Sequence, residues 1–164
     1  MTRIKVIKDV TDFVPVLRAV STRTKRDVFT TLAQDWITED EIDENYGEEG
    51  KSALKLFEKM KLVETRWQHT DSETKKAYHT YYSAVHIDAS VPINEISDVL
   101  YAAMIEDEEF KEIEGQILEA MGEGTDYARD IENILEVTPI TLKSLVKRST
   151  KLYFRGNKIL EMPE

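Results

Sequence analysis

The 164-residue chain contains no cysteine. That removes disulfides, thiolate metal sites and thiol nucleophiles together. With only three histidines, no strong metal site is expected. There is no run of about 18 apolar residues, so no membrane-spanning helix is expected either. The opening "MTRIKVIKDV" alternates charged and apolar residues and lacks the hydrophobic stretch of a signal peptide. A cytoplasmic protein is the expectation. Also missing are a P-loop, a G-x-G-x-x-G fingerprint and a G-x-S-x-G elbow. "GEEG" at Gly47 opens a helix but carries the rest of neither glycine motif. The serines fall in helix caps or on helix faces. No enzyme and no cofactor are expected.

What remains is a charged globular composition, 41% apolar and 33% charged, with net charge −10. The acid is unevenly spread. Met1–Asp88 carry 14 basic and 16 acidic residues, whereas Ala89–Glu164 carry 8 and 16. Within the second part, Thr141–Lys158 hold six basic residues and no acidic one. A local patch, more than net charge, decides whether a polyanion can dock. The carboxylates of Glu106–Glu109 point around a helix and read as a solvated face. His86 and Asp88, two apart on a strand, share a face and offer half of a zinc site. Two ligands are too few, and packing in an aromatic-rich strand explains them.

Periodicity organises the chain. "IKVI" (Ile4–Ile7) is either a short strand or an arm. A helix follows from Thr11 through Val20, and Ser21-Thr22 cap a second that runs to about Gln34. Thr38 with Glu41 three residues later forms a capping box for a helix ending at Gly47. The next helix, about 49–60, gathers Ala53, Leu56, Phe57 and Met60 on one face. Lys51, Lys55 and Lys59 lie opposite, with Ser52 beside them. "LVETRWQHT" and "AYHTYYSAVHI" then alternate as two strands joined by a polar turn carrying Lys75 and Lys76. From Ile93 the pattern is mostly helical to Met121, with a kink near Glu106. Thr125 or Asp126 caps a further helix, and Pro139 opens another. A small hairpin about Gly156-Asn157 closes the chain.

Three helices followed by a hairpin match the order of a winged helix-turn-helix, whose third helix enters the major groove while the hairpin grips the backbone. The fold expected is mainly α with a small β-hairpin wing (α+β), plus a C-terminal helical region. Residues 1–90 would form the DNA-binding domain and residues 91–164 a dimerisation or regulatory region. The recognition helix would span about 49–60 and the wing about 68–78. Candidate DNA contacts are Lys51, Ser52, Lys55, Lys59, Lys75 and Lys76, joined by Arg23 and Lys25. Lys143, Lys147, Arg148 and Lys151, turned outward, offer either a second basic surface for DNA or a solvated or acid-paired face.

"VLRAVSTRTKRDVFTTLA" (Val16–Ala33) resembles the opening of ArsR-type winged-helix regulators. Ser21, Thr24, Lys25, Val28 and Leu32 occupy the matching positions. "ITEDEIDENYG" and "ALKLFEKMKLVETRW" resemble the following helix, the recognition helix and the first wing strand. "LVETRWQ…KAYHTYYSAVHI" and "VTPITLKSLVKRS" look more narrowly like an archaeal, methanogen-type branch. The resemblance implies binding to double-stranded DNA as a homodimer, with no known effector. Two departures stand out: Asp43 replaces a small apolar residue, and Lys61 replaces the usual glycine before the wing. The cysteine-bearing metal motif of the metal-sensing members is absent. An alternative remains open, a winged-helix module that binds protein and does not touch DNA.

Overall fold

The computed structural model describes residues 2–163, which form two compact units. The first unit comprises the N-terminal strand through Ile7 together with Val16–Asp88; the second comprises Lys8–Pro15 and the chain from Ala89 on.

In the first unit, β1 (Ile4–Ile7) pairs in parallel with β5 (Ala84–Ile87). Helix α1 (Phe13–Ala19), whose last residues belong here, is followed by α2 (Arg23–Gln34). Thr22 caps α2, its hydroxyl accepting from the Lys25 N–H. A two-residue strand β2 (Ile37–Thr38) leads into α3 (Glu39–Lys59), and β3 (Val63–His69) and β4 (Thr74–Thr80) complete a sheet of order β2-β4-β3. The capping box at Thr38 is formed: its hydroxyl accepts from Glu41 N–H, and the Glu41 carboxylate accepts from Thr38 N–H. Val28, Leu32, Ile42, Ala53, Leu54, Phe57 and Tyr78 make the core. Each lies at the helical or strand spacing that turns it inward.

Two backbone features shape α3. Gly47 interrupts it with φ 64° and ψ −150°, a region open essentially only to glycine. The α3 trace is therefore two helical segments set at an angle, as the sequence predicts. At its far end Lys61 takes φ 57°. The Leu62 N–H donates to Phe57 C=O and the Lys61 N–H to Glu58 C=O, the paired bonds of a Schellman cap. Lys61 thus stands in a left-handed position that favours glycine.

The second unit contains α4 (Ile93–Met104), α5 (Asp107–Gly122), α6 (Ala128–Leu135), α7 (Pro139–Arg148) and the hairpin β6 (Leu152–Arg155) with β7 (Lys158–Glu161). The kink expected near Glu106 is the break between α4 and α5. Pro139 occupies the first turn of α7, behind a Thr138 cap. The α6 cap differs from expectation: Tyr127 holds that position and makes no side-chain cap bond. Ile117, Ile131, Leu142, Val146, Leu152 and Ile159 fill the main core. Smaller clusters form around Val99 with Ala103 and around Leu145 with Ile105. Among the described residues no helix is long and apolar enough to cross a membrane.

Candidate nucleic-acid interface

Beyond Gly47 the second segment of α3 buries Gly50, Ala53, Leu54, Leu56 and Phe57. Ser52, Lys55 and Glu58 are exposed, while Lys51 and Lys59 are half-buried. The four residues expected to read DNA therefore do lie on the outward side of one segment. That face is not purely cationic. Lys51 Nζ sits 2.7 Å from Glu48 and 3.5 Å from Asp43. The hydrogen bond to Glu48, helped by the charge of Asp43 and opposed by desolvation, holds its ammonium above the ordinary lysine value. Asp43, the residue that departs from the apolar pattern, is thus a partner of a candidate reading lysine.

The segment is closely held. A Cβ on Gly50 would lie 2.5 Å from the Tyr46 Cβ and 3.1 Å from an Ile42 methyl. Only a glycine lets the two segments approach this closely at the turn. Thr22 donates to Glu49 at 2.7 Å, which brings the N-terminus of α2 beside the first turn after Gly47. Arg23 and Lys25 sit in that first turn of α2. The Arg23 side chain is almost fully exposed, 4.0 Å from Asp27, and Lys25 Nζ donates to Ser21.

The hairpin differs from expectation in two respects. The run "AYHTYYSAVHI", expected as a single second strand, breaks after Thr80, and Ala84–Ile87 pair with β1 in a separate sheet. The hairpin turn is Thr70–Glu73, closed by the Thr70 hydroxyl and backbone. Lys75 and Lys76 stand in β4, opposite Gln68 and Trp67, and not at the tip. Alternation sends them to opposite faces of the sheet. Lys75 is gripped by Asp40 at 2.8 Å and Glu73 at 3.1 Å, which together raise its pKa. Lys76 meets Glu58 at 3.6 Å and lies over the Tyr78 ring. Burial, then a hydrogen bond with Glu58, raises the Tyr78 phenol. On the Lys75 face, Trp36 covers the Arg66 guanidinium at 4.2 Å and stacks on His79. Packing therefore accounts for His79. Trp67, 66% exposed, was not singled out in the sequence. The available signal was an indole in the otherwise polar run "WQHTDSETKK".

The second basic surface is corrected by the structure. Arg148, expected to face outward, is 5% exposed. It donates to the carbonyls of Ala102 and Ile105, at 3.0 and 2.8 Å, and to Asp107. A fixed planar fork satisfies the end of α4 and the start of α5 at once. Lys143 pairs with Asp9, Lys147 with Asp12 and Lys151 with Glu114. The run Thr141–Lys158 looked cationic because its acids are distant in sequence. Among the described residues no three His, Asp or Glu side chains are placed to hold a metal ion.

A family model described as ArsR transcriptional regulator matches residues 7–162, nearly the whole chain. No curated protein matches the chain.

Proposed function

Because the chain belongs to the ArsR family of transcriptional regulators, we propose that it is a winged helix-turn-helix protein that binds duplex DNA sequence-specifically as a cytoplasmic homodimer. The observation that carries this reading is the paired helical segments hinged at Gly47, followed directly by the β3–β4 hairpin. In this reading Lys51, Ser52, Lys55 and Lys59 face the major groove. Lys76, with Arg23 and Lys25, meets phosphates. Lys75 contributes only if DNA displaces its carboxylates. Lysine supplies point charges better than bidentate base contacts, so sequence discrimination rests partly on Ser52 and on DNA shape. The homodimer reading is supported by α4, where Ile93, Leu100, Tyr101 and Met104 are exposed at spacings that place them along one side of a helix. The second unit then serves dimerisation or regulation. The archaeal, methanogen-type assignment rests on the motifs of the wing strands and α7.

Selection from a random duplex pool tests the reading, followed by salt titration of wild type and K51A/K55A/K59A. A palindromic site should emerge. Loss of up to three phosphate contacts should flatten the slope of log K against log salt, by about 0.9 per contact. No enrichment at low salt would refute direct DNA recognition.

One observation favours a second reading, a protein-binding module: Lys51 is already neutralised by Glu48 and Asp43. Capture of a protein partner by a chain with no duplex affinity would establish it.

A further inference from the structure

The β3–β4 hairpin has two unlike faces. Register pairs Thr65 with Tyr78, Trp67 with Lys76 and His69 with Thr74 on one face; Glu64 with His79, Arg66 with Ala77 and Gln68 with Lys75 on the other. The second face is occupied by Trp36 and by the Asp40–Lys75–Glu73 contacts. Both carboxylates of this segment that lie in or next to the strands, Glu64 and Glu73, belong to that side. The first face begins in the core at Tyr78 and then emerges from it. Beyond Tyr78 it presents Trp67, His69, Thr74 and Lys76, with no strand carboxylate. Glu58 of α3 is paired with Lys76 at 3.6 Å.

Among the described residues of the first unit, Trp67 is the most exposed of the large apolar side chains. Leaving an indole in water forgoes one of the largest burial gains a side chain offers. A protein partner would ordinarily find such an anchor inside a wider apolar patch. Here its neighbours are the Thr74 hydroxyl and His69 imidazole, bonded to each other at 3.0 Å, and the Lys76 ammonium. One flat apolar surface with an N–H donor, set among other donors, suits a sugar–phosphate backbone. β3 follows α3 after three residues, so in the proposed reading the strand that carries Trp67 runs beside a duplex held by α3.

We infer that Trp67 is a DNA-backbone contact: the indole packs on a deoxyribose of the flank and its Nε1–H donates to a phosphate, with His69 and Lys76 beside it. This rests on the reading that the chain binds duplex DNA, and it adds a non-ionic contact that no basic residue supplies.

The chain has only two tryptophans, which gives a direct readout. In a W36F protein Trp67 is the sole indole, and its emission is followed while a labelled duplex from the selection is titrated, with duplex anisotropy measured in parallel. W67A and W67F are titrated by anisotropy across salt. Trp67 emission should change with the same Kd as anisotropy. W67A should weaken binding about tenfold, the loss expected when one large side chain is no longer buried, with the salt slope unchanged because no charge is removed. W67F should keep part of the affinity. Anisotropy that reports binding while Trp67 emission stays flat and W67A binds normally overturns the inference and leaves DNA recognition intact. Emission that instead changes with protein concentration alone assigns the indole to self-association and also overturns it. Absence of any duplex binding by wild type at low salt overturns both.

Discussion

Replacing Gly50 with alanine isolates the contact that sets the two α3 segments against each other. Two effects compete. Alanine is favoured over glycine within a helix by about 1 kcal/mol. Against that, the new methyl would lie 2.5 Å from the Tyr46 Cβ, roughly 1 Å inside an ordinary carbon contact of about 3.5 Å. The obstacle is a Cβ, which cannot swing away as the end of a long side chain could. Overpacking of this kind costs about 1–3 kcal/mol, or more where backbone must shift. Steric cost should win, with a net loss of about 1–2 kcal/mol for G50A. For a unit of this size that corresponds to a fall in Tm of roughly 5–15 °C. Both tryptophans, Trp36 and Trp67, lie in the same unit as Gly50, so urea unfolding followed by their emission reports the right transition. Relief of the clash would also rotate the segment bearing Lys51 and Lys55, so duplex affinity should fall more than stability alone explains. A G50A protein as stable as wild type, or more stable, would refute the reasoning, because propensity would then have prevailed over contact.

Gly47 should fail for a different reason: nothing lies within 4 Å of its missing Cβ, yet its φ and ψ suit glycine alone, so G47A should cost about 1–3 kcal/mol in the same urea assay. K61G should do the reverse and stabilise the unit by roughly 1 kcal/mol, since the left-handed strain at Lys61 is relieved; a lower urea midpoint would contradict the Schellman-cap account. Arg148→Ala strands the Ala102 and Ile105 carbonyls and should destabilise the second unit by about 2–4 kcal/mol, read as earlier loss of helical circular dichroism; an unchanged midpoint would show that water replaces the guanidinium. For Asp9, burial alone would raise the carboxyl, but hydrogen bonds from Lys143 and Thr11 outweigh it and lower the pKa from 3.8 to about 2. A depressed acid contributes stability above its unfolded value and loses it as pH falls through the folded one. Wild type should therefore exceed D9N by a constant amount above about pH 5, the gap closing between roughly pH 4 and 2. With the Asp9 side chain 38% exposed, screening reduces that gap to about 1 kcal/mol. A gap that persists at pH 2 would assign the effect to something other than ionisation.

Local signals alone determined most of the elements. Thr38 with Glu41, Gly47, Pro139 and Gly156-Asn157 each act within one turn of chain, so the helix starts, the α3 break and the last hairpin are legible in the sequence. Amphipathic spacing likewise put Ala53, Leu56 and Phe57 inside and Ser52 and Lys55 outside. The electrostatic character of the candidate site was legible only in part. Glu48, three residues before Lys51 on one helix, is within reach by spacing alone, whereas Asp43, on the other side of Gly47, becomes its second partner only in the fold. Lys143 reads as free until Asp9, 134 positions earlier, closes on it. Arg148 sits where helical spacing allows an outward side chain, yet the buried carbonyls of Ala102 and Ile105 at the end of α4 draw it inward. The face taken by Trp67 follows from strand alternation, but its exposure depends on where the core under β3 stops. Caps, turns and periodicity are set by neighbours in sequence. Burial and ion pairing are set by neighbours in space, and only the tertiary structure decides which those are.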